Sequence, residues 1–581
     1  MNLATLSLIA FRVFIALCTR TFFQPDEFFQ SLEPAHQFVF GYGVLTWEWM
    51  SSQPIRSFFY PALNVPVYSL LKYTRLSEAG WLGDWLLISL PKVVHGAFAA
   101  LTDIYAGQIA RQALGSNYVN TTIFLSCTSF FNALALSRSL SNSLETSLTT
   151  IAFAYYPWDA SSRLSPQLLF NRSRLRKSII FSALACSTRP TNAVIWVFLY
   201  ANLFYALRNH RRIMLAVATD MVVTGLSAFT FIVALDSVYY GRLTITPLNF
   251  LKTNLSSVSL FYGANPWHYY ITQALPILCT TALPFLLYTV WTTLTSKSTR
   301  NQPLKMMLAA IVWTIGVYSF AGHKEWRFIH PMLPLMHVLA AKSLVDSAPT
   351  PRPAQSKKAH GKSNPSFISR LITYFNLPRL PTAYISLLLC TLPASIYIVL
   401  FYCSGPVSIL SYFRELPSDQ FSNITIGVLM PCHSTPGFSY LHRPELSHGR
   451  LWSLGCEPPL ENQDLHTYED QTNVFFDSPK DYLLTYFPKS VDKSFPLSPM
   501  PSSIPGSPAP KVSVTQSGKL LYPWRHEWPQ FLVLFGDLLL QEGVVQILEE
   551  KGYKEVAKAG RGWEGEGTRK GGARIWKWMS D

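Results

Sequence analysis

The sequence predicts a polytopic α-helical membrane protein of about eleven passes, followed by a small α/β domain at the C-terminal end. Three observations lead there. Charged residues make up only 14% of the 581-residue chain, well below the roughly 25% of soluble domains. Apolar runs able to cross a hydrocarbon core of about 30 Å recur from the N-terminus to about residue 404. Basic residues gather between those runs rather than within them.

The first run, near residues 3–20, passes without an A-x-A-like cleavage site into TRTFFQPDEFFQ, so it reads as a retained helix rather than a cleaved signal. Further spans fall near 86–108, 118–136, 145–157, 214–235, 271–291, 306–321, 331–347 and 381–404. The stretch 178–206 is basic at both ends. A single crossing would leave one basic cluster on each side of the membrane, whereas two shorter helices broken at Arg189-Pro190 return both clusters to the cytosol.

A net charge of +15 raises the question of nucleic acid, but the placement of the charge answers it. One cluster holds Arg163, Arg172, Arg174, Arg176 and Lys177, a second Arg208, Arg211 and Arg212, and a third Lys297, Arg300 and Lys305. A fourth holds Arg352, Lys357, Lys358, Lys362, Arg370 and Arg379, in a stretch without acidic residues. Basic loops of this kind mark the cytosolic face, so the partner is membrane lipid and no nucleic acid is expected. The N-terminus is then cytosolic and the C-terminus lumenal. Residues 21–60, 137–144, 236–270 and 322–330 all face the lumen, and these are the loops rich in polar and aromatic side chains. Asn423-Ile-Thr is a glycosylation acceptor pattern on the lumenal side, whereas Asn171-Arg-Ser lies on the cytosolic side and should stay unmodified.

Of eight cysteines, Cys18, Cys127, Cys186, Cys279 and Cys390 lie in apolar runs and Cys403 ends one; no pair has metal-site spacing. Cys432 and Cys456 fall in the polar tail, where an oxidising lumen would permit a disulfide. The sequence therefore divides into a membrane domain, 1–404, and a lumenal domain, 405–581, with a Pro/Ser-rich linker near 495–511 and a second linker-like stretch near 351–366. In the tail, SNITIGVLM and QFLVLFG read as strands; LLLQEGVVQILEEKGYKEV reads as a helix, and RIWKWM closes the pattern.

Four features can carry chemistry. Asp26-Glu27 sits immediately after the first span, where carboxylates are costly to desolvate, although an acidic pair after Pro25 also suits a helix start. In a helix opening there, Glu33 falls seven residues after Asp26 and shares its face, so three acids can converge. In AGHKEWRFIHPMLP, the donors His323, Lys324 and Arg327 suit a phosphate, with Glu325 able to orient one of them. Snorkelling at a span end is the alternative for such basic residues, but positive charge is disfavoured on the lumenal face. The loop YYGRLTITPLNFLKTNLSSVSLFYGANPWHYY, with Arg242, Lys252, Trp267, His268 and Tyr269, is either an interfacial aromatic belt or a platform for sugar and lipid. Arg189, inside an apolar stretch, calls for an anionic partner. Together these suggest transfer from an anionic lipid phosphate to a hydroxyl acceptor. A transporter is the alternative of a different class, disfavoured because no internal repeat is visible and the charges sit in loops rather than mid-span.

The segments QPDEFFQSLEPAHQFVFGYGVLTWEW, SRSLSNSLET, STRPTN, FYGANPWHYY, HKEWRFIHPMLP and LMPCHSTPGFSYLH, in this order, resemble the GPI mannosyltransferase III family within the GT-C superfamily. The PDE and HKEWRF elements are shared with related lipid-linked mannosyltransferases; PWHYY and especially PCHSTP point to the GPI family. The resemblance implies an enzyme of the endoplasmic reticulum membrane with its active site in the lumen. It would transfer mannose from dolichyl phosphate mannose, in α-1,2 linkage and with inversion, to the second mannose of the GPI glycolipid intermediate. It also implies Asp26 as the catalytic carboxylate with Glu27 beside it, and His323, Lys324 and Arg327 at the donor phosphate. Asn142, Glu145, His268, Glu33 and Arg189 then fall at the acceptor or behind the reacting groups. No metal and no cofactor are expected, the lipid-linked donor being a substrate. A sister enzyme of N-glycan assembly, or one adding a fourth GPI mannose, is the alternative within the class.

Overall fold

A computed structural model describes residues 3–159, 171–296, 301–348, 380–417, 420–421, 424–460, 467–502, 512–515 and 520–579. The basic residues Arg163, Lys297, Arg300 and those at 352–379 lie outside the described residues, as do Asn423, the whole of the linker-like stretch 351–366 and residues 503–511 of the other. Two compact units result. The first comprises Met1–Ala16, Val94–Ile232 and Ala264–Ile396; the second Leu17–Val93, Val233–Gly263 and Tyr397–Asp581.

Helices occupy each predicted apolar run, and among the described residues six helices are long and apolar enough to cross a membrane: Trp81–Ala113, Pro190–Leu207, Arg211–Tyr240, Tyr270–Thr295, Trp326–Asp346 and Thr382–Ser408. Burial ranks them. The apolar window of Trp326–Asp346 is 83% buried and that of Arg211–Tyr240 only 11%, so the first runs through protein while the second presents its side chains outward. The break expected at Arg189-Pro190 is present. Asn171 caps the helix Arg172–Thr188 by accepting from the Arg174 amide at 3.0 Å. Arg189 then turns to extended backbone, as a residue preceding proline does, and a 3₁₀ turn at Pro190–Asn192 leads into Ala193–Leu207. Close approach elsewhere depends on small residues: a Cβ at Gly96 would stand 2.8 Å from the Val13 Cα.

The second unit is built on a five-stranded mixed sheet. Its strands are β1 (Ile426–Leu429), β2 (Leu451–Ser453), β5 (Phe531–Phe535), β6 (Tyr553–Ala559) and β7 (Ala573–Trp578); β3 (Ser513–Val514) and β4 (Leu520–Leu521) form a separate ribbon. The order is β2-β1-β5-β7-β6, with β1 parallel to both β2 and β5, and β7 antiparallel to β5 and β6. Alternation along FLVLF gives the sheet two buried faces. Phe531, Val533 and Phe535 pack with Phe28, Phe29, Leu32 and Phe438, whereas Leu532 and Leu534 pack with Trp452, Phe475, Tyr482, Trp524 and Trp528. One face of the tail's sheet is thus covered by the QPDEFFQSLE segment itself.

One sequence expectation is corrected. The helix in LLLQEGVVQILEEKGYKEV covers only Val544–Glu550, because Gly552 takes a left-handed φ of 86° and the following YKEV alternates outward and inward as the start of β6. Cys432 and Cys456 are joined in a disulfide.

Candidate active site

In the second unit, Asp26 is the first helical residue after Pro25, and Asp26-Glu27 leads into a π turn, Phe28–Leu32, before regular α geometry from Glu33 to Phe40. The amides of Phe28 and Phe29 both donate to the Pro25 carbonyl at 3.0 Å. Asp26 is half-buried and Glu27 buried. The wider π turn brings two successive aromatic rings against the tail: Phe28 meets Tyr440 edge-on at 5.3 Å, and Phe29 lies 4.6 Å from His433.

Glu33 is fully buried, and its carboxylate is engaged by backbone. Oε1 accepts from the Ser439 amide at 2.7 Å, and Oε2 from Phe438 at 3.1 Å and Val44 at 3.3 Å. Burial raises its pKa, with the amide bonds opposing. Glu33 therefore fastens the PCHSTPGFSYLH motif onto the acid-bearing helix. His433 of that motif has φ 57°, with Nδ1 3.7 Å from Cys456 Sγ. Burial lowers its pKa to about 4 against the opposing charge of Asp26, and Arg569 adds to the lowering. Behind it, His36 Nδ1 donates to the Tyr42 carbonyl at 3.0 Å, while His36 Nε2 and the Tyr42 hydroxyl meet His442 Nδ1 at 2.8 and 2.9 Å. Among the described residues, Cys432, His433 and Cys456 bring three metal-ligand atoms together, but the two sulfurs are bonded to each other.

The first unit holds the basic loop. Glu325 takes Arg327 in a two-pronged contact, Nε to Oε2 at 2.7 Å and Nη2 to Oε1 at 2.8 Å, while His323 Nε2 donates to Oε1 at 3.1 Å. Glu325 thus orients two donors, where the sequence suggested one. Burial alone would raise its pKa, but Arg327 and His323 hold the carboxyl well below the usual carboxylate range. Lys324 is buried and donates to the Asn265 carbonyl at 2.7 Å, and Asn265 Nδ2 donates back to the Lys324 carbonyl at 2.8 Å. The FYGANPWHYY segment therefore grips the basic loop through Asn265. His268 is exposed and pairs with Thr272 at 3.0 Å, so it is not gathered with the other candidates by any contact the structure describes.

Under the basic loop runs Ser141–Tyr155, buried almost throughout. Asn142 Nδ2 donates to the Arg327 carbonyl at 3.4 Å. The anionic partner required by Arg189 is Glu145, with Nε–Oε2 at 3.3 Å; Glu145 Oε1 accepts from Asn192 at 2.8 Å, and Arg189 Nη1 donates to Ser141 Oγ at 3.2 Å. Arg189 and Arg327 both approach the Phe328 ring, at 5.3 and 5.8 Å from its centroid. SNSLET, STRPTN and HKEWRF, separate in sequence, thus meet in one place. Sequence reasoning passed over Asn265 and Asn192, though both lie inside segments it singled out. Among the described residues, π turns stand at Phe28–Leu32, Asn132–Leu136 and Tyr270–Ala274, each beside one of these segments.

The model of the Alg9-like mannosyltransferase family matches residues 3–442. The chain is 33% identical to the GPI mannosyltransferase 3 of Aspergillus fumigatus, over 98% of this chain and 76% of that protein. It is 30% identical to the GPI alpha-1,2-mannosyltransferase 3 of Xenopus laevis, over 83% of this chain and 80% of that protein. In fold it is similar to ArnT from Cupriavidus metallidurans, solved bound to undecaprenyl phosphate, with a TM-score of 0.53, 12% identity, and coverage of 99% of this chain and 97% of that one.

Proposed function

Starting from a chain that belongs to the Alg9-like mannosyltransferase family, we propose that it adds the third mannose of the GPI anchor. Mannose passes from dolichyl phosphate mannose to the 2-hydroxyl of the second mannose of the GPI glycolipid, in α-1,2 linkage. The observation that carries this reading is the match to a protein named GPI mannosyltransferase 3 across 98% of the chain. The Xenopus relative's name supports the linkage.

The reaction in this reading is a single inverting displacement. Asp26 accepts the proton of the acceptor hydroxyl as that oxygen attacks C1; the C1–O bond to phosphate breaks, and dolichyl phosphate leaves. Glu27 neighbours the base. His323, Lys324 and Arg327 neutralise the departing phosphate, Glu325 fixing the first and third of these. Arg189, Asn142 and Glu145 support Arg327 from beneath, Glu33 holds the PCHSTPGFSYLH motif on the acid-bearing helix, and His268 is assigned to the acceptor. The reading calls for no metal or cofactor, so activity should survive chelation. About eleven passes, a cytosolic N-terminus and a lumenal tail in the endoplasmic reticulum complete it.

The test is transfer by the purified chain from radiolabelled dolichyl phosphate mannose to a two-mannose GPI glycolipid. A three-mannose product sensitive to α-1,2-mannosidase is expected. Labelling of another lipid-linked acceptor instead would keep the enzyme class and remove the GPI assignment.

A further inference from the structure

A second ionic network lies in the first unit and uses none of the residues assigned above. Arg12 of Leu3–Cys18 and Asp103 of Trp81–Ala113 are both fully buried. Arg12 Nε contacts Asp103 Oδ2 at 2.6 Å, and Nη2 contacts Oδ1 at 2.8 Å. Nη2 also donates to the Ser126 carbonyl at 2.9 Å, and Ser126 Oγ to Asp103 Oδ1 at 2.6 Å. A charge pair inside apolar helices is costly, which makes it a functional candidate by default.

The network ends on the basic loop. Asn132 Nδ2 donates to the Ser126 carbonyl and Oγ, both at 3.1 Å, so its Oδ1 faces His330 Nε2 at 3.1 Å as an acceptor. His330 must therefore carry its proton on Nε2. Phe131, next in the chain, stands edge-on to His330 at 4.8 Å and packs against Trp326 at 5.6 Å. Trp326–Met332 is a 3₁₀ helix, in which positions three apart lie on one face. Arg327 and His330 share such a face, so the azimuth at which His330 is held sets that of Arg327.

We propose that Arg12, Asp103 and Asn132 are positioning residues for the donor phosphate, acting through His330 on Arg327. This rests on the reading of Arg327 as a phosphate ligand. The network supplies a rigid buttress from the membrane helices to the backbone that carries Arg327, while Glu325 orients the guanidinium through Nε and Nη2.

Initial rates of the purified full chain, with donor and acceptor varied separately, test the proposal. His330→Ala should raise the KM for dolichyl phosphate mannose roughly tenfold, the equivalent of one well-placed contact, with the acceptor KM unchanged. His330→Gln, whose amide still donates to Asn132, should recover most of the loss, which a merely structural role does not predict. An unchanged donor KM, or a parallel rise in acceptor KM, overturns the proposal. Should His330→Ala not fold, Asn132→Leu removes the acceptor at similar volume and is read the same way. Arg327→Ala separates the two layers: an unmoved donor KM there sinks the phosphate reading, whereas a rise there without one in the His330 variant sinks only the positioning role.

Discussion

The carboxylate of Glu33 occupies the space that a side chain at Gly437 would need: a Cβ built there would stand 2.9 Å from the Glu33 carboxyl carbon and Oε2. Gly437→Ala should therefore force the carboxylate from the amides of Phe438 and Ser439, costing about 1–3 kcal/mol as overpacking does. Glu33→Gln keeps the shape but turns one acceptor into a donor facing backbone N–H groups, at a cost of about 1–3 kcal/mol. Thermal unfolding of the purified variants reads both, and midpoints equal to wild type would mean that the latch is not stabilising.

Glu145 and Arg189 make a second, independent prediction. Both side chains are largely buried, at 1% and 11% exposure. Glu145→Ala alone removes the buried carboxylate that Arg189 faces and should cost roughly 3–5 kcal/mol. Adding Arg189→Met should restore part of that stability while leaving transfer impaired, since Arg189 also flanks Phe328 beside Arg327. Equal stability of the single and double variants in a double-mutant cycle would deny the coupling.

These cases show where the sequence was legible. Apolar runs and the charge of their flanks located the helices, and the break at Arg189-Pro190 followed from proline geometry together with the charge rule. The need of Arg189 for an anion was readable from an isolated charge in apolar surroundings, but its partner was not, because the pairing of Glu145 with Arg189 depends on how two helices pack. His268 was chosen for its chemistry, whereas the loop is held by Asn265, a residue whose importance comes only from meeting Lys324. The strand at Tyr553–Ala559 was hidden because YKEV continues a helical pattern that Gly552 interrupts. Arg12 and Asp103 were passed over as single charges within long helices, and Glu33 drew notice as a third acid before its amide partners in the tail were visible.

The buried histidines give a pH prediction. His433 and His442 are both lowered from 6.5 to about 4, chiefly by burial. The folded state thus favours their neutral forms, and the unfolded chain binds more protons between about pH 6.5 and 4. Their contribution is fully present above 6.5 and lost as pH falls through that window. Glu33, raised by burial, has the opposite sign just above the ordinary carboxylate range and reduces the slope there. The unfolding midpoint should drop by roughly 3 °C from pH 7 to pH 5, and His442→Gln should flatten the profile. A midpoint independent of pH over this range would contradict the burial of both rings.

Asp26 and Glu27 stand at adjacent positions and cannot play the same part. Glu27 is buried against the unit's interior, while Asp26 is half-buried at the mouth of the helix. A general base must reach the hydroxyl whose proton it takes, which favours the more accessible carboxylate. Asp26→Asn should therefore lower the transfer rate by roughly 100 to 10,000-fold, the usual contribution of a positioned base, with an unchanged unfolding midpoint. Glu27→Gln should act less on rate and more on stability, because the side chain is buried. Near-normal transfer by Asp26→Asn together with loss in Glu27→Gln would exchange the two roles; Glu33 is a poorer candidate because both of its oxygens already accept from the backbone amides of Val44, Phe438 and Ser439.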